Sequence, residues 1–332
     1  MVGASALVDR SAVLSWIANT LGAREARHAG SIQPLWAGYG ELFRIELSGR
    51  AVRRAIVKWA RPPRDADEPS AARKRESFDV ETTFYRRVAA RCDETCRVPV
   101  LLAARGGGET GEWILVLEDL DASGYDTRVA EAAGAQLEAA LAWLASFHAR
   151  FLGESVDGLW PTGTYWHLGT RLDELAAIDD AALRTIAPRV AARLAAVRYR
   201  TLVHGDAKDA NFCFGPRGTD VAAVDFQYVG AGCAMSDVAY LLYGRSDEPA
   251  DGIDRRRLDT YFRHLRRALG RRPDAEAVDI DALEAEWLSL YPMARLDFCR
   301  FLAGWRPEAW RRDLAGQRFV RAMLDDMRDT SL

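Results

Sequence analysis

The chain has 332 residues, a formal net charge of -3, 49% hydrophobic residues and 28% charged residues. This length can bury two lobes with a sizeable shared core, and the composition is that of an ordinary globular protein. The balanced charge excludes a strong field directed at nucleic acid or an anionic membrane, so we expect neither as a partner. The apolar runs are also far shorter than a membrane-spanning helix requires.

The cysteines bear on the cellular compartment, and the lysines bear on the candidate site. No pair among the five cysteines combines zinc-like spacing with a nearby histidine, so we expect reduced thiols. The first residues lack the pattern of a signal peptide, and the sequence therefore predicts a cytoplasmic protein. Of the 45 basic residues, only Lys58, Lys74 and Lys208 are lysines. A coding bias explains most of this preference for Arg, but a retained Lys can mark a position that needs a compact point charge.

The first third of the chain has the pattern of a small sheet with one inserted helix. Ser11 is the predicted cap of a first helix. Alternating apolar residues then predict five strands, with a charged loop at residues 61–70 and a helix at residues 71–91 after the third strand. The predicted strands span residues 32–36, 42–47, 54–59, 98–103 and 112–117. Residues 1–118 are therefore predicted to form a small antiparallel lobe.

The sequence changes character at residue 119 and is mostly helical from there on. Apolar residues at three-to-four spacing predict the helices, and three short strands at residues 201–203, 212–214 and 221–224 interrupt them. The predicted helices span residues 137–151, 179–199, 236–243, 254–269, 281–303 and 308–327. The overall prediction is an α+β fold in which residues 119–332 form a larger helical lobe.

The three short strands carry the most informative residues. A His-Gly-Asp triplet ends at Asp206, Asn211 follows five positions later, and Asp225 opens an Asp-Phe-Gln triplet after fourteen more. Phosphoryl transfer from ATP needs a carboxylate that accepts the proton of the attacking hydroxyl, and an amide and a second carboxylate that hold magnesium. Protein kinases share this spacing, with Arg and Gly where Gly205 and Gln227 stand here. We therefore predict Asp206 as the base and Asn211 and Asp225 as metal ligands, with simple turn chemistry as the alternative.

Two of the lysines lie in motif-like positions. Lys58 is on the third predicted strand, where a kinase needs a lysine that contacts the α- and β-phosphates and is held by a helix glutamate. Glu81 on the next predicted helix is the expected partner, with Glu76 as the alternative. Lys208 is predicted to meet the transferring phosphate and stabilise its charge. The competing interpretations are an edge-strand lysine that discourages aggregation for Lys58 and a solvated loop lysine for Lys208.

Three further features belong to the predicted site. Gly38 and Gly40 lie between two strands, where a phosphate-covering loop belongs, although a hairpin turn explains them equally well. Glu118 and Leu120 mark the lobe junction, where the chain would contact adenine or where a strand simply ends. Asp237 opens a helix and either interacts with the helix N-terminus or reaches back to brace the His-Gly-Asp loop. The chain has neither a G-x-G-x-x-G nor a Walker motif, which argues against an ordinary protein kinase and a P-loop enzyme.

On these residues, over about residues 30–305, the chain resembles the aminoglycoside phosphotransferase and choline kinase superfamily. The Phe84-Tyr85 pair and the Asp-Phe-Gln triplet look most like its ecdysteroid-kinase-like branch. The resemblance implies a protein-kinase-like two-lobe fold, ATP and Mg²⁺ as cofactors, and phosphorylation of a hydroxyl group on a small molecule. By motif position, the resemblance implies that Asp206 is the catalytic base and that Asn211 and Asp225 are metal ligands. It also implies that Lys58 and Glu81 form the phosphate-holding pair.

The acceptor alcohol is less well defined, and the helical lobe should supply its site. The aromatic segment at residues 160–167, with Trp287, Tyr291, Trp305 and Trp310, could enclose a quaternary ammonium or line a steroid or polyketide pocket, or simply pack in the core. An aminoglycoside would need a strongly acidic cleft, whereas the late helices mix acidic residues with many arginines. Amino alcohols, aminoglycosides, macrolides, sterols and sugars stay open, as does the oligomeric state.

Two other classes of function compete with a small-molecule kinase. A pseudokinase that binds nucleotide and acts as an interaction module would not need the intact set of Asp206, Asn211, Asp225 and Lys58. A protein kinase is disfavoured by Gly205 in place of Arg and by the lack of an activation segment ending in Ala-Pro-Glu.

Overall fold

The computed structural model describes residues 3–35, 38–62, 69–108, 111–245, 249 and 253–329. Within these residues the chain has the predicted α+β architecture of two lobes, a five-stranded antiparallel sheet with two helices and a larger helical part. The sheet has the strand order β1-β2-β3-β5-β4. Its strands are β1 (Glu25–Pro34), β2 (Gly40–Ser48), β3 (Arg54–Ala60), β4 (Leu101–Arg105) and β5 (Trp113–Glu118). The helix α1 (Gly3–Leu21) precedes β1, and α2 (Pro69–Arg87) follows β3.

The second lobe surrounds two short strand pairs with helices. The strands β6 (Thr201–Val203) and β9 (Gly230–Gly232) form one pair, and β7 (Phe212–Phe214) and β8 (Val221–Ala223) form the other. The helices of this lobe are α3 (Ala135–Arg150), α4 (Leu172–Ala176), α5 (Ala181–Ala195), α6 (Met235–Leu242), α7 (Arg255–Leu269), α8 (Ile280–Trp305), α9 (Pro307–Arg312) and α10 (Leu314–Asp329). In the described part of the chain, every helix is too short or too polar to cross a bilayer.

The strand β5 is apolar along most of its length because both of its faces are covered. On one face, Val13 and Ile17 of α1 share a buried cluster with Val116. On the other face, Leu115 belongs to the large core that includes Phe84 of α2. This double burial explains a continuous hydrophobic run instead of an alternating one, and it fixes the end of β5 at the junction of the lobes.

The helix α2 connects the lobes through stacked aromatic rings. Phe84 stacks on Phe226, the central residue of the Asp-Phe-Gln triplet, with ring centroids 3.9 Å apart and both side chains fully buried. Tyr85 meets the same ring edge-on at 6.0 Å, and Phe147 of α3 packs beside it. Such pairs add about 0.5–1.5 kcal/mol beyond their buried area. The stack therefore holds Glu81, one turn earlier on α2, in a fixed position relative to the Asp-Phe-Gln triplet.

The structure corrects three predicted boundaries. The helix α1 extends well before Ser11, which is an interior residue and not a cap. The first strand, predicted at residues 32–36, begins at Glu25, because β1 is a mostly exposed edge strand without apolar alternation. Its predicted end at Trp36, and most of the predicted loop at residues 61–70, lie outside the described residues. The predicted last helix is divided into α9 and α10 at Asp313, whose carboxylate accepts a hydrogen bond from Gly316 N at 2.8 Å and caps the second segment.

Candidate active site

The two lobes face each other across a cleft of about 1220 Å³. A pocket for one small ligand usually has about 300–1,000 Å³, so this cleft has room for a nucleotide and a second molecule. Most of the predicted site residues line it. They are Lys58, Glu81, Glu118, Leu120, Asp206, Lys208, Asn211 and Asp225.

Asp237 braces the loop that carries the His-Gly-Asp triplet. Its fully buried carboxylate accepts hydrogen bonds from the backbone N–H groups of His204, at 2.6 Å, and Gly205, at 2.9 Å. The His148 ring of α3 approaches the same carboxylate at 3.1 Å. Of the two roles considered for Asp237, the structure therefore confirms the brace. Asp237 is 32 residues from Gly205 in sequence, so these groups meet only in the folded chain.

The His204 ring provides a second brace for the same loop. Burial lowers the pKa of His204 and favours the neutral ring. Its Nε2 lies 3.0 Å from the Val224 carbonyl and donates to it, which leaves Nδ1 to accept from Asp206 N at 3.2 Å. The ring thus ties the start of the loop to the strand that leads to Asp225.

We expect Asp237→Asn to destabilise the fold, because an amide places an N–H group against one of the two backbone donors. Leaving a buried donor unsatisfied costs about 2 kcal/mol, which corresponds to a fall of about 3 °C in the thermal unfolding midpoint, because the unfolding entropy grows with chain length. Calorimetry of the purified variant measures it. Asp179→Asn is the control, because Asp179 forms an exposed ion pair with Arg311 at 3.4 Å, and this variant should change the midpoint by about 1 °C or less. Equal midpoints for both variants would contradict the brace.

The structure around Gly205 explains why this chain has no Arg before Asp206. Its φ of +81° lies in the left-handed region, and a Cβ atom there would approach the Tyr228 carbonyl oxygen to 2.1 Å. The turn at Tyr228 therefore occupies the space that a side chain would need. Any residue other than Gly would require the two backbone segments to separate.

We expect Gly205→Ala to lower the free energy of unfolding by roughly 2–4 kcal/mol, from the left-handed backbone and the clash together. Gly153→Ala separates the two effects, because Gly153 has a φ of +79° but no atom of the described residues lies within 4 Å of the added Cβ. That variant should cost only about 1 kcal/mol. Urea denaturation measures both changes. A loss at Gly205 that does not exceed the loss at Gly153 would show that the Tyr228 segment yields easily.

Asp206 has one carboxylate oxygen that is held and one that is not. Its Oδ2 accepts hydrogen bonds from Lys208 Nζ at 2.8 Å and from Asn211 Nδ2 at 3.0 Å. Its Oδ1 is buried and has no hydrogen-bond partner among the residues that the structure describes. Burial raises the pKa of Asp206 to about 6, against the opposing pull of Lys208. An orientated carboxylate with a free oxygen and a raised pKa can accept a proton.

Asp225 lies next to this carboxylate in a backbone conformation that is unusual for a residue with a side chain. Its φ of +68° is left-handed, and such conformations concentrate at functional sites. Its Oδ1 accepts from Lys58 Nζ at 2.8 Å, and a third of its side chain, 34%, stays exposed to the cleft. Burial alone would raise the pKa of Asp225, but the attraction of Lys58 outweighs it and the pKa is lowered. Asp225 is therefore a carboxylate that keeps its charge.

Asn211 and Asp225 offer oxygen atoms that suit a hard cation. The amide nitrogen of Asn211 donates to the backbone and side-chain oxygens of Asp206, which orients its amide oxygen away from them. Mg²⁺ usually takes one or two protein carboxylates and completes its shell with water and phosphate oxygens. In the described ranges, no cluster of three or more His, Cys, Asp or Glu side chains forms a complete metal site. The donor set thus fits a magnesium ion that phosphates help to hold.

Lys58 lies between two carboxylates. Its Nζ is 2.7 Å from Glu81 Oε2 and 2.8 Å from Asp225 Oδ1. Burial on its own lowers the pKa of Lys58, but the attraction of Asp225 and Glu81 outweighs it, and the pKa is raised. The helix partner is Glu81, as predicted, and not Glu76, which is exposed. A permanently charged ammonium at this point can hold phosphate oxygens in the cleft.

The remaining predicted residues are less directly placed. Gly38 and Gly40 close the β1–β2 hairpin with φ angles of +71° and +152°, and a Cβ on Gly40 would lie 1.9 Å from the Trp59 carbonyl oxygen. The hairpin lines the cleft with Ile32 to Leu35 and Leu42 instead of these glycines, so their role near phosphate stays a prediction. The Glu118 carboxylate accepts from Arg97 Nη2 at 2.6 Å and so supports the junction.

Lys74 is a cleft residue that the sequence did not assign. Its Nζ lies 3.3 Å from Gln227 Oε1, and Ser77 Oγ donates to the same oxygen at 3.2 Å. Burial lowers the pKa of Lys74 to about 8, with Asp225 opposing the shift. These contacts give the Gln of the Asp-Phe-Gln triplet a purpose, since a Gly could not reach α2. The signal that could have found Lys74 was the scarcity of lysine, because all three lysines line this cleft.

The predicted aromatic residues divide between the cleft and the core. Tyr165, from the 160–167 segment, lines the cleft, as does Trp305, whereas Trp166 and Trp287 are fully buried. The Tyr165 hydroxyl lies 3.3 Å from that of Tyr240. Further aromatic residues line the cleft that the sequence did not single out. They are Tyr228, Tyr240, Tyr243 and Phe298.

The two-lobe fold and this cleft define a kinase-like protein. Residues 31–272 match the phosphotransferase enzyme family that is abbreviated APH, and the chain belongs to this family. Comparison with curated protein sequences finds no significant match.

Three solved structures illustrate the shared fold. A candidate aminoglycoside phosphotransferase from Ralstonia eutropha has a TM-score of 0.54 at 14% identity, covering 94% of this chain and 95% of that one. An amicoumacin kinase in complex with AMP-PNP and Ca²⁺ has a TM-score of 0.51 at 16% identity, with 99% and 94% covered. A candidate fructosamine-3-kinase from Thermobifida fusca has a TM-score of 0.51 at 16% identity, with 94% and 98% covered. At such identities the likeness concerns the fold.

Proposed function

We propose that the protein transfers the γ-phosphoryl group of ATP to a hydroxyl group of a small molecule. The observation that carries the proposal is the Asp206 carboxylate beside Lys208, Asn211 and Asp225, one of whose oxygens is buried and has no partner among the described residues. In a pseudokinase with a purely structural cleft, a buried carboxylate oxygen without a hydrogen bond would destabilise the fold and serve no reaction.

Each residue then has a chemical role. The acceptor hydroxyl donates its hydrogen bond to Asp206 Oδ1, which takes the proton as the oxygen forms its bond to the γ-phosphorus. The bond between that phosphorus and the bridging oxygen breaks, and ADP leaves with the electron pair. Lys208 is 44% exposed in the cleft beside Asp206 and stabilises charge on the transferring group. The Lys58–Glu81 pair holds the other phosphates.

The metal ligands are Asn211 and Asp225 in this proposal. Magnesium bound there would neutralise phosphate charge. The persistent charge of Asp225, kept by Lys58, makes it suited to a divalent cation. The nucleotide in one related structure, AMP-PNP, supports ATP as the donor.

Two finer points stay predictions. The place in the ecdysteroid-kinase-like branch rests on Phe84, Tyr85 and Gln227, which the fold assembles around Phe226 and α2. The cytoplasmic location rests on the cysteines, all five of which are free thiols, as a reducing compartment would keep them.

A screen of ATP consumption against alcohols of different classes tests the proposal. Amino alcohols, aminoglycosides, macrolides, sterols and sugars are each added to the protein with ATP and MgCl₂, and ADP and a phosphate ester should form in equal amounts. Nucleotide binding is measured in parallel by calorimetry. Binding without any ester would favour a pseudokinase, transfer to a protein substrate would favour a protein kinase, and the absence of both binding and turnover would overturn the proposed function.

A further inference from the structure

The acidic residues near the lobe junction are already neutralised by arginines. Glu118 pairs with Arg97 at 2.6 Å, and Asp119 pairs with Arg44 at 2.7 Å. Asp121 also contacts Arg44, at 2.5 Å. These carboxylates line the cleft, but they offer little charge to a cationic ligand because each already has a partner.

The other side of the cleft, near α4 and the end of α8, has an excess of positive charge. Three guanidinium groups line it, those of Arg73, Arg171 and Arg306. The nearby carboxylate of Glu174 pairs with Arg171 at 2.8 Å. Among the described residues, Arg73 donates only to a backbone carbonyl, Thr170 O, at 2.6 Å, and Arg306 lies over the Trp305 ring at 4.2 Å. Within the described ranges, neither Arg73 nor Arg306 forms an ion pair, so this side of the cleft can attract an anion.

Arg73 and Arg171 also act on each other. Burial lowers the pKa of Arg73, and the positive charge of Arg171 lowers it further. An anion bound beside Arg73 would offset this repulsion between like charges. Arg171 is itself fixed, because it is buried and its Nε donates to the Tyr165 carbonyl at 2.6 Å. The pair therefore presents an ordered positive surface instead of two freely moving side chains.

The same region has flat aromatic walls next to the catalytic carboxylate. The Tyr165 ring lies 5.6 Å from that of Tyr240 and 6.1 Å from that of Trp305. Burial raises the pKa of Tyr165 and Tyr240, and the nearby Asp206 carboxylate raises both further. A molecule whose hydroxyl reaches Asp206 would thus lie against these rings, with the guanidinium groups at its other end.

Building on the proposed function, we infer that the acceptor is an alcohol with a flat apolar body and an anionic group, a carboxylate or a phosphate, which Arg73 and Arg306 bind. Guanidinium forks match both groups and bind them through charge-assisted hydrogen bonds. A polycationic acceptor would meet like charge on this side of the cleft, and like-charge contacts disfavour binding.

Four matched probes test the inference. They are para-substituted benzyl alcohols that carry a carboxylate, a phosphonate, a carboxamide or an aminomethyl group, each assayed for ATP-dependent ester formation. We expect kcat/KM for one of the two anionic probes to exceed that for the carboxamide by about tenfold or more, with the aminomethyl probe poorest. The better of the two anions identifies the group. A preference for the aminomethyl probe, or equal rates with all four, would overturn the inference.

Arg73→Gln separates binding of the anion from a structural role. It should reduce kcat/KM for the preferred anionic probe by about tenfold and leave kcat/KM for the carboxamide unchanged, whereas damage to the fold would lower both. Arg86→Gln is the matched control, because Arg86 is on the same helix, donates to a backbone carbonyl, Ala104 O at 2.9 Å, and does not line the cleft. Undiminished selectivity in the Arg73 variant would contradict the inference.

The same assay distinguishes this inference from the proposed function. If neutral or cationic alcohols are phosphorylated and the anionic ones are not, only the inference fails. If ATP binds to the protein but none of the probes or the screened alcohols is phosphorylated, the proposed function fails, and the inference with it.

Discussion

Replacing Asp206 with Asn is expected to reduce phosphoryl transfer by about 10²–10⁴-fold, the usual contribution of a positioned general base. An amide of the same shape can still accept from Lys208 and occupy the site, so ATP binding should change little. It cannot take up the proton that the acceptor hydroxyl releases. The measurement is the rate of ester formation with an alcohol identified in the screen, together with the ATP dissociation constant from calorimetry.

Asp126→Asn is the control for this variant. Asp126 lines the same cleft but is exposed and far in sequence from the loop that carries Asp206, so its replacement should leave the rate within about twofold, as for other exposed charges. Full activity of the Asp206 variant would rule out its role as the base. Loss of ATP binding in that variant would instead indicate that Asp206 holds the nucleotide site together.

Replacing Asp225 with Ala is expected to weaken ATP binding in the presence of Mg²⁺ by about 10–100-fold, because a charged contact contributes about 1.5–3 kcal/mol. The variant removes the carboxylate that would hold the metal and one of the two partners of Lys58. Binding without Mg²⁺ should change much less, so the advantage that Mg²⁺ confers should disappear. Titrations with and without MgCl₂ measure this difference.

Asp126→Ala serves as the corresponding control and should preserve the effect of Mg²⁺. Near-ultraviolet circular dichroism shows whether the Asp225 variant keeps its tertiary packing after Lys58 loses a partner. If the folded variant binds ATP with the same affinity and the same dependence on Mg²⁺ as the unaltered protein, Asp225 is not a metal ligand.

Prediction from the sequence was most accurate for the short strands that flank the polar motif residues. The strands β6 and β7 have their predicted bounds. Each is a short, mostly apolar run that borders the polar residues of the loop between them. The strand β1 was placed too late, since an exposed edge strand has no apolar face to mark it. The break at Asp313 depends partly on contact with Tyr243, 70 residues away, which no local pattern records.

The candidate site residues that belong to a sequence motif with a known chemical role were predictable. The Lys58–Asp225 contact spans 167 residues, yet both were predicted, because each belongs to a short motif with its own chemistry. Arg73 and Arg171 were not predicted. They reach the cleft from a helix and a loop whose sequences look like ordinary solvated surface, so only the packing of α2 against the second lobe reveals them.

The concentration of lysine in one cleft has a practical consequence for chemical modification. Apart from the amino terminus, the only primary amines of the chain are those of Lys58, Lys74 and Lys208, and all three line the cleft. An amine-directed reagent should therefore label this protein almost entirely at its functional centre. Lys74, with a pKa of about 8, has the largest share of reactive free base near neutral pH. Protection of that single amine from acylation would then report occupancy of the cleft without any knowledge of the acceptor.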